Sequence, residues 1–341
     1  NSKEAFPTNA AFKVKVNGEI KVITFLQMIK HVESLGTELS ARGFDGKKMG
    51  IIGENSYQWF NCFLSIVCGG NIAVPFDKGL TAEELAQCVD RSDIKALFYD
   101  EKHQELVDRI KEQCHKDLEL FRITGENNDL DEMRTAGDIK LTAGDRTYLD
   151  RPVNRSDLAV FLFTSGTTST SKVVMLSHDN IASNINDMLQ MKIFYPTDVN
   201  MAFLPFHHSF GLVGCLVFLS SGSANVFCDG LKYVAKNLEE YGVTVFVGVP
   251  LIVENLYYKI MKQVEKQGMM GKVEKGLKMA ALLDKVGIHA RRKIFSAIIE
   301  KLGGHLRLII CGAASLSKEV AQGLNNFGIV TIQGYGLTET S

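Results

Sequence analysis

A loop rich in hydroxyl groups holds the residues that are best suited to chemistry. Between Phe163 and Lys172, seven of the ten residues are Ser or Thr, one is Gly, and Lys172 closes the segment. Small residues let backbone N–H groups approach an anion, hydroxyl groups donate hydrogen bonds to phosphate oxygens, and the lysine adds positive charge. The composition therefore predicts a cradle for a triphosphate. The alternative is a solvated Ser/Thr hairpin that binds no ligand.

Two other phosphate loops do not fit this segment. Walker A requires G-x-x-x-x-G-K-[ST], but counting from Gly166 places Ser171 at the second glycine and Val173 at the Ser/Thr position. The dinucleotide pattern G-x-G-x-x-G is absent from the segment as well. A serine hydrolase is disfavoured because Ser165 lies in T-S-G-T, whereas a nucleophile elbow has the pattern G-x-S-x-G.

The loop resembles the phosphate loop of the adenylate-forming superfamily, whose pattern is T-S-G-[ST]-T-G-x-P-K-G. The residues that match this pattern are Thr164, Ser165, Gly166, Thr167, Thr168 and Lys172. Three residues depart from it, since Ser169, Ser171 and Val173 stand where the family has Gly, Pro and Gly. These departures leave the hydrogen-bond donors intact and affect the stiffness and closing motion of the loop.

Three further segments match the superfamily in its own order. Residues 204–208 resemble the L-P-x-x-H segment, with His208 as the motif histidine. Residues 311–316 resemble G-[AG]-A-P-L, with Ser315 in place of Pro. The Y-G-x-T-E segment is matched in full within Gln333, Gly334, Tyr335, Gly336, Leu337, Thr338 and Glu339. Four segments in order extend the resemblance over essentially the whole chain.

The resemblance implies roles in binding ATP. Glu339 would bind Mg²⁺, Thr338 would contact the α-phosphate, and Tyr335 would stack on adenine. The other nucleotide contacts that it implies come from Gln333, Gly334, Gly336 and Leu337, together with the matched residues of the loop.

The resemblance also implies where the carboxylic acid binds. Gly312, Ala313 and Ala314 would line the adenine and acyl side of the site, where a bulky side chain would not fit. His208 would lie near the reacting carboxylate, and with Lys172, Thr338 and Glu339 it completes the implied catalytic set. His207 is interpreted as a partly buried structural histidine. His178 is interpreted as the start of the helix that follows the loop.

Among the members of the superfamily, long-chain fatty-acid–CoA ligases are the most similar. Residues 285–302, followed by 303–307, look like an insert of that branch, and so does the run from 51 to 59. The implied reaction is ATP-dependent activation of a fatty acid to an acyl-adenylate, followed by transfer to CoA. The alternatives are aryl acids, fatty-acyl–AMP ligases or ligases that deliver to a carrier protein, and a non-catalytic protein that binds nucleotide or acyl groups. Because the sequence ends at Ser341, before the family's later motifs, the resemblance implies that the C-terminal lid domain with its catalytic lysine is missing.

The elements that must position these residues alternate between strand and helix patterns in the first hundred positions. Predicted helices cover 24–42, 55–69 and 81–91, the last with a capping box from Thr81 to Glu84, and predicted strands cover 49–53, 71–75 and 96–99. This alternation is typical of an α/β fold with a mainly parallel sheet.

The pattern resumes after a polar segment, 124–155, which is interpreted as a surface connection. Further strands are predicted at 158–163, 173–176, 243–249, 306–311 and 329–332, and a helical block is predicted at about 251–302. We expect two αβ subdomains, about 1–155 and 156–341, with mainly parallel sheets flanked by helices and a smaller β-rich part.

Composition limits the partners of the chain. Its 341 residues carry 38 Lys plus Arg and 39 Asp plus Glu, a formal net charge of −1, which argues against nucleic acid. Seven scattered cysteines predict reduced thiols in a cytoplasmic protein. No signal peptide and no transmembrane segment are recognised. The basic side of the helical block would allow peripheral contact with an anionic membrane.

Overall fold

A computed structural model describes residues 2–164 and 172–341 of the chain. Within these ranges the backbone forms two mainly parallel β-sheets with helices packed around them. In chain order, the strands are β1 (Ala10–Val16), β2 (Glu19–Thr24), β3 (Lys48–Ile52), β4 (Ile72–Pro75), β5 (Ala96–Tyr99), β6 (Glu119–Arg122), β7 (Leu158–Thr164), β8 (Lys172–Ser177), β9 (Val199–Ala202), β10 (Ala224–Phe227), β11 (Val245–Gly248), β12 (Leu308–Cys311) and β13 (Val330–Gln333).

The helices differ widely in length, from a single turn to nearly five turns. In chain order, they are α1 (Ser2–Ala5), α2 (Phe25–Ala41), α3 (Tyr57–Cys68), α4 (Ala82–Ser92), α5 (Gln104–Gln113), α6 (Asp129–Thr142), α7 (His178–Gln190), α8 (Ser209–Ser220), α9 (Val234–Glu240), α10 (Pro250–Lys266), α11 (Met270–Lys285), α12 (Arg291–Ile294), α13 (Ser296–Glu300) and α14 (Lys318–Asn326).

The first sheet joins the two ends of the sequence. Its order among the described residues is β13-β12-β11-β9-β10-β1-β2, and all neighbours are parallel except the hairpin β1–β2. Strand β1 pairs with β10, so that Phe12 lies opposite Asn225. Helices α10 to α13 connect β11 to β12, as the helical block predicts.

The second sheet is built from one continuous part of the sequence. Its order is β6-β5-β3-β4-β7-β8, with only β7–β8 antiparallel among the described strands. Thr164 at the end of β7 pairs with Lys172 at the start of β8. Thr164 and Lys172 therefore mark the two ends of the hydroxyl-rich loop, whose residues 165–171 lie outside the described ranges.

The structure confirms the α/β class and most of the predicted elements to within two residues. Strand β5 has the predicted bounds, and Thr81 caps α4 through the predicted capping box with Glu84. Helix α7 begins at His178, as expected. All seven cysteines are free thiols, in agreement with the prediction.

Two expectations need correction. The segment 124–155 is not only a surface connection, because it contains α6, which packs on α2 through the buried Leu130 and Met133. No separate β-rich part occurs within the described ranges, since the β1–β2 hairpin extends the first sheet. The second sheet, β3 to β8, lies in the sequence between the β1–β2 hairpin and the remaining strands of the first sheet. Its strands β7 and β8 follow residue 155 but pair with strands that precede it. The predicted subdomain boundary near residue 155 therefore gains no support from sheet membership and stays a prediction.

None of the helices in the described ranges combines the length and the apolar character that crossing a membrane requires.

Candidate active site

The candidate site lies at one edge of the first sheet. Strands β9, β11, β12 and β13 are parallel neighbours, so their carboxyl ends meet at this edge. The chain leaves β9 for β10 on one side and then crosses to β11 on the other, so the strand order reverses at β9. Ligands of open α/β sheets bind in the crevice at such a reversal.

The loop after β9 is held in place by its buried Phe206 ring and by hydrogen bonds from Asn55 to two backbone carbonyls. Phe206 is 2% exposed, and its ring centroid lies 4.9 Å from that of Trp59 and 5.3 Å from that of Phe60 on α3. Asn55 Nδ2 donates hydrogen bonds to the carbonyl oxygens of Leu204 at 2.7 Å and Ala202 at 3.3 Å. The second sheet therefore holds the loop that carries the two adjacent histidines.

The two histidines of this loop differ in environment. Their ring centroids are 4.3 Å apart; His207 is half-buried, and His208 is exposed at the start of α8. Burial, and then the neighbouring imidazole, lower the pKa of His207 from 6.5 to about 4, although the Asp77 carboxylate 3.6 Å away opposes the shift. His207 is therefore neutral at pH 7. Of the pair, only His208 presents its ring to solvent.

The loop after β12 contacts the start of α8. A Cβ added to Gly312 would lie only 2.8 Å from Cε1 of the Phe210 ring, so the ring packs directly on the glycine backbone. Gly312 N also donates a hydrogen bond to the carbonyl oxygen of Gly248, the last residue of β11. Ala313 adopts a positive φ of 68°, and both Ala313 and Ala314 are exposed. The structure thus brings the His208 and Gly312 segments together.

The segment after β13 continues the same edge. Gly334 N donates to the carbonyl oxygen of Cys311 at 2.8 Å, which fixes the segment beside β12. Tyr335 is 94% exposed, so both faces of its ring are accessible for stacking. The 3₁₀ turn Thr338–Thr340 packs against β8, whose first residue is Lys172. The structure thus brings the Tyr335 segment close to the strand that begins with Lys172.

The loop residues with the largest predicted share of phosphate contacts are only partly described. Thr164 and Lys172 are described, and Lys172 is exposed. Ser165, Gly166, Thr167 and Thr168 fall outside the described ranges, as do Ser169 and Ser171. Their predicted roles stay predictions.

Glu339 presents an exposed carboxylate in the 3₁₀ turn, next to Thr338, which is half-buried. The described ranges contain no group of three His, Cys, Asp or Glu side chains that could hold a metal ion alone. A magnesium ion bound together with a nucleotide requires only one or two protein carboxylates, because phosphate oxygens and water supply the other ligands. The single carboxylate therefore fits such an ion.

Sequence reasoning missed two residues that shape this edge, Asn55 and Asp77. Asn55 was included as the start of a helix and in the run from 51 to 59, but its side chain was given no role, and it holds the β9 loop. Asp77 is the carboxylate nearest to His207. Both residues follow buried parallel strands of the second sheet, β3 and β4. Their position at the carboxyl ends of these strands could have identified them as site residues.

A cavity of about 930 Å³ adjoins the β9 loop on the β10 side. Phe203 and Pro205 of the loop contribute to its wall, and five cations line it against two carboxylates, Glu54 and Asp229. The five cations are Lys15, Lys21, Lys78, Lys102 and Arg134. Three of these cations are already paired with carboxylates: Lys15 with Asp229 and Glu240, Lys78 with Glu54, and Arg134 with Asp131. Lys21 and Lys102 supply the remaining positive charge of the wall.

A sequence model of the AMP-binding enzyme family matches residues 2–341. Among curated proteins, the chain is 29% identical to the long-chain-fatty-acid–CoA ligase 5 of Rattus norvegicus, with 95% of this chain and 51% of that protein covered. It is 27% identical to the long chain acyl-CoA synthetase 4 of Arabidopsis thaliana, with 93% and 52% covered. The chain therefore spans about half the length of these curated relatives.

Solved structures share the fold. The fatty acyl CoA synthetase of Mycobacterium tuberculosis superposes with a TM-score of 0.74 at 18% identity, covering 99% of this chain and 58% of that one. The N-terminal domain of FACL13 from the same organism gives a TM-score of 0.74 at 18% identity, with 99% and 74% covered. At such identities the likeness concerns the fold alone.

Proposed function

Because the chain belongs to the AMP-binding enzyme family, whose members form adenylates, we propose that it is the nucleotide- and acyl-binding body of a fatty-acid–CoA ligase. In the first step a fatty-acid carboxylate attacks the α-phosphate of ATP, which gives acyl-AMP and pyrophosphate. In the second step the CoA thiol displaces AMP from the acyl-adenylate, which gives acyl-CoA. AMP leaves with the electrons of the broken acyl–phosphate bond and the thiol proton passes to solvent, so atoms and charge balance without any redox partner.

One observation carries this proposal: three segments that are distant in sequence lie at a single sheet edge. The loops after β9, β12 and β13 follow parallel neighbours, and the Phe210 ring packs on Gly312. The turn Thr338–Thr340 packs against β8, the strand that follows the hydroxyl-rich loop. A solvated Ser/Thr hairpin without a ligand gives no reason for this convergence.

In this mechanism the chain supplies positive charge and hydrogen-bond donors, which counter the mutual repulsion of two anions. The loop from Thr164 to Lys172 holds the terminal phosphates, Thr338 contacts the α-phosphate, and Tyr335 stacks on adenine. Glu339 holds Mg²⁺, which neutralises phosphate charge when it is bound. The rest of the rate acceleration comes from holding the carboxylate beside the α-phosphate in the orientation for attack.

The acyl side of the site is assigned to the Gly312–Ala314 loop and to His208. His208 is the exposed imidazole of its pair and can donate a hydrogen bond to the carboxylate. Gly312 leaves no room for a side chain because the Phe210 ring already occupies that position. A fatty acid is the proposed substrate since the curated relatives are long-chain acyl-CoA ligases. CoA, which carries phosphates, suits the cation-lined cavity beside the β9 loop.

The proposal is tested by titrating the 341-residue chain with ATP·Mg²⁺ and with a long-chain acyl sulfamoyl adenosine, a stable mimic of the acyl-adenylate. Lys172→Ala should weaken binding of ATP by about 10- to 150-fold, because a hydrogen bond to a charged group contributes about 1.5–3 kcal/mol. Lys111→Ala, an exposed lysine on α5, is the matched control and should bind as the unaltered chain does. Absence of binding to both molecules, or equal affinities for the two variants, would overturn the proposal.

A second candidate is a non-catalytic nucleotide-binding protein, which the departures Ser169, Ser171 and Val173 from the loop pattern favour. Both candidates bind ATP, but only a ligase binds the acyl-adenylate mimic much more tightly than ATP, since it must stabilise that intermediate. Tighter binding of ATP than of the mimic would favour the second candidate.

A further inference from the structure

Helix α11 turns a face that is both apolar and basic away from the protein. Its inner side packs on the core through Val273, Gly276 and Ala280. On its outer side Met279, Leu282 and Val286 are 54%, 64% and 70% exposed. Large apolar side chains that are more than half exposed and adjacent to each other mark an interaction surface.

The exposed apolar residues and four lysines form one surface. Met279, Leu282 and Val286 are separated by three and four positions, so they form a single stripe along the helix. Lys275 and Lys278 each lie four positions before a member of this stripe, and the outer lysines flank it. The basic apolar face consists of Lys272, Lys275, Lys278, Met279, Leu282, Lys285 and Val286, all of them exposed.

The charge around this face is strongly one-sided. The face carries four lysines, and the whole chain has a net charge of −1. Helix α11 has two carboxylates: Glu274, which is exposed, and Asp284, which is half-buried and paired with Arg291 at 2.7 Å. The partner of this face must therefore be negatively charged.

The partner must also accept a convex apolar stripe. A helix stripe of three side chains protrudes and offers no pocket, and long lysine side chains surround it. Such a helix lies in the interface of a bilayer, with its apolar side chains among the acyl chains and its lysines reaching the lipid phosphates. We propose that α11 docks the protein on a membrane surface that contains anionic lipids. This contact is separate from nucleotide binding and extends the proposed function, since a bilayer is where fatty acids dissolve.

The test is co-flotation of the full chain with lipid vesicles in the absence of nucleotide. We expect binding to phosphatidylcholine vesicles that contain phosphatidylserine, weaker binding to phosphatidylcholine alone, and release at high salt. Lys275→Glu with Lys278→Glu should weaken binding at least 25-fold, because each lysine near an anionic surface contributes a factor of about five. Leu282→Ser with Val286→Ser should weaken it about tenfold or more through lost apolar contact.

Matched controls separate docking from folding and from general charge. Lys111→Glu with Lys318→Glu makes the same charge change at exposed positions away from α11, and it should leave most of the binding intact. Ile139→Ser with Leu231→Ser replaces two other side chains, each 66% exposed, and should bind as the unaltered chain does. Circular dichroism and the thermal midpoint check that every variant is folded.

Several results would overturn the proposal. They are equal binding to neutral and anionic vesicles, losses as large in the control variants as in the α11 variants, and full binding by the Leu282 and Val286 variant. Retention on immobilised polyglutamate without flotation on vesicles would also overturn it, in favour of an acidic polypeptide partner. Since no nucleotide is present, a negative result here leaves the adenylate-binding test unaffected.

Discussion

The packing of Phe210 on Gly312 makes a sharp prediction about the candidate site. Replacing Gly312 with Ala adds a methyl group whose carbon would lie 2.8 Å from Cε1 and 2.9 Å from Cζ of the ring. Ordinary contacts begin at 3.4 Å, so the ring must move by about 0.6 Å. Overpacking of this kind costs about 1–3 kcal/mol.

The cost should appear in binding as well as in stability, because both residues lie between the His208 and Gly312 segments. We expect Gly312→Ala to lower the free energy of unfolding by about 1–3 kcal/mol. The affinity for the acyl sulfamoyl adenosine should also fall, because a displaced Phe210 ring shifts the two loops that form the acyl side of the site. The first is measured by urea unfolding and the second by calorimetric titration.

A double-mutant cycle isolates the contact. In a Phe210→Leu background the ring is gone, so the added methyl at Gly312 should cost less than about 0.5 kcal/mol. Gly271→Ala is the control, because nothing lies within 4 Å of the position its Cβ would take. If the methyl at Gly312 costs the same with and without the Phe210 ring, the proposed steric link between the two loops is wrong.

Three further predictions follow from other contacts. Burial, and then the nearby Arg134, lower the pKa of His31 from 6.5 to about 4. Between these two pH values the unfolded chain therefore binds more protons than the folded chain does. Stability should therefore fall as pH drops from 6.5 to 4, less steeply in His31→Gln, as urea titrations at several pH values would reveal. Arg307→Leu leaves Asp198, 2% exposed, without its cation and should cost about 3–5 kcal/mol, whereas Arg146→Leu, on an exposed pair, should cost under about 1 kcal/mol by urea unfolding. Glu339→Gln should raise the Mg²⁺ concentration needed for half-maximal ATP binding; an unchanged titration curve would remove Glu339 from the site.

Local patterns predicted those elements whose stability is local. The capping box from Thr81 to Glu84 and the apolar run of β5 each lie within a few residues, and both were correct. Helix α6 was missed because its sequence is rich in charged residues and it buries only a few side chains, among them Leu130 and Met133. Strand β9 was missed because its short sequence is interrupted by the polar Asn200, whose amide bonds to Asn225 in the buried sheet.

The site was predictable as a set of motifs but not as an arrangement. The segments around His208, Gly312 and Tyr335 were recognised from their residues, yet their convergence depends on strand order, which no local pattern contains. Asn55 shows why local patterns are insufficient, because its hydrogen-bond partner Leu204 lies 149 positions away in the sequence. Its importance comes entirely from that distant partner.

The second sheet is encoded between two parts of the first sheet, and this arrangement imposes an order on folding during synthesis. Strands β3 to β8 lie between residues 48 and 177, so the second sheet can assemble as soon as that stretch has left the ribosome. The β1–β2 hairpin is made before the second sheet, but its partner β10 ends at residue 227, so the hairpin remains unpaired on one edge for about two hundred residues. During that interval its pairing edge is uncovered and the Phe12 ring lacks its stacking partner Phe227. The hairpin is thus exposed to misassembly and to capture by chaperones for longer than the strands of the second sheet.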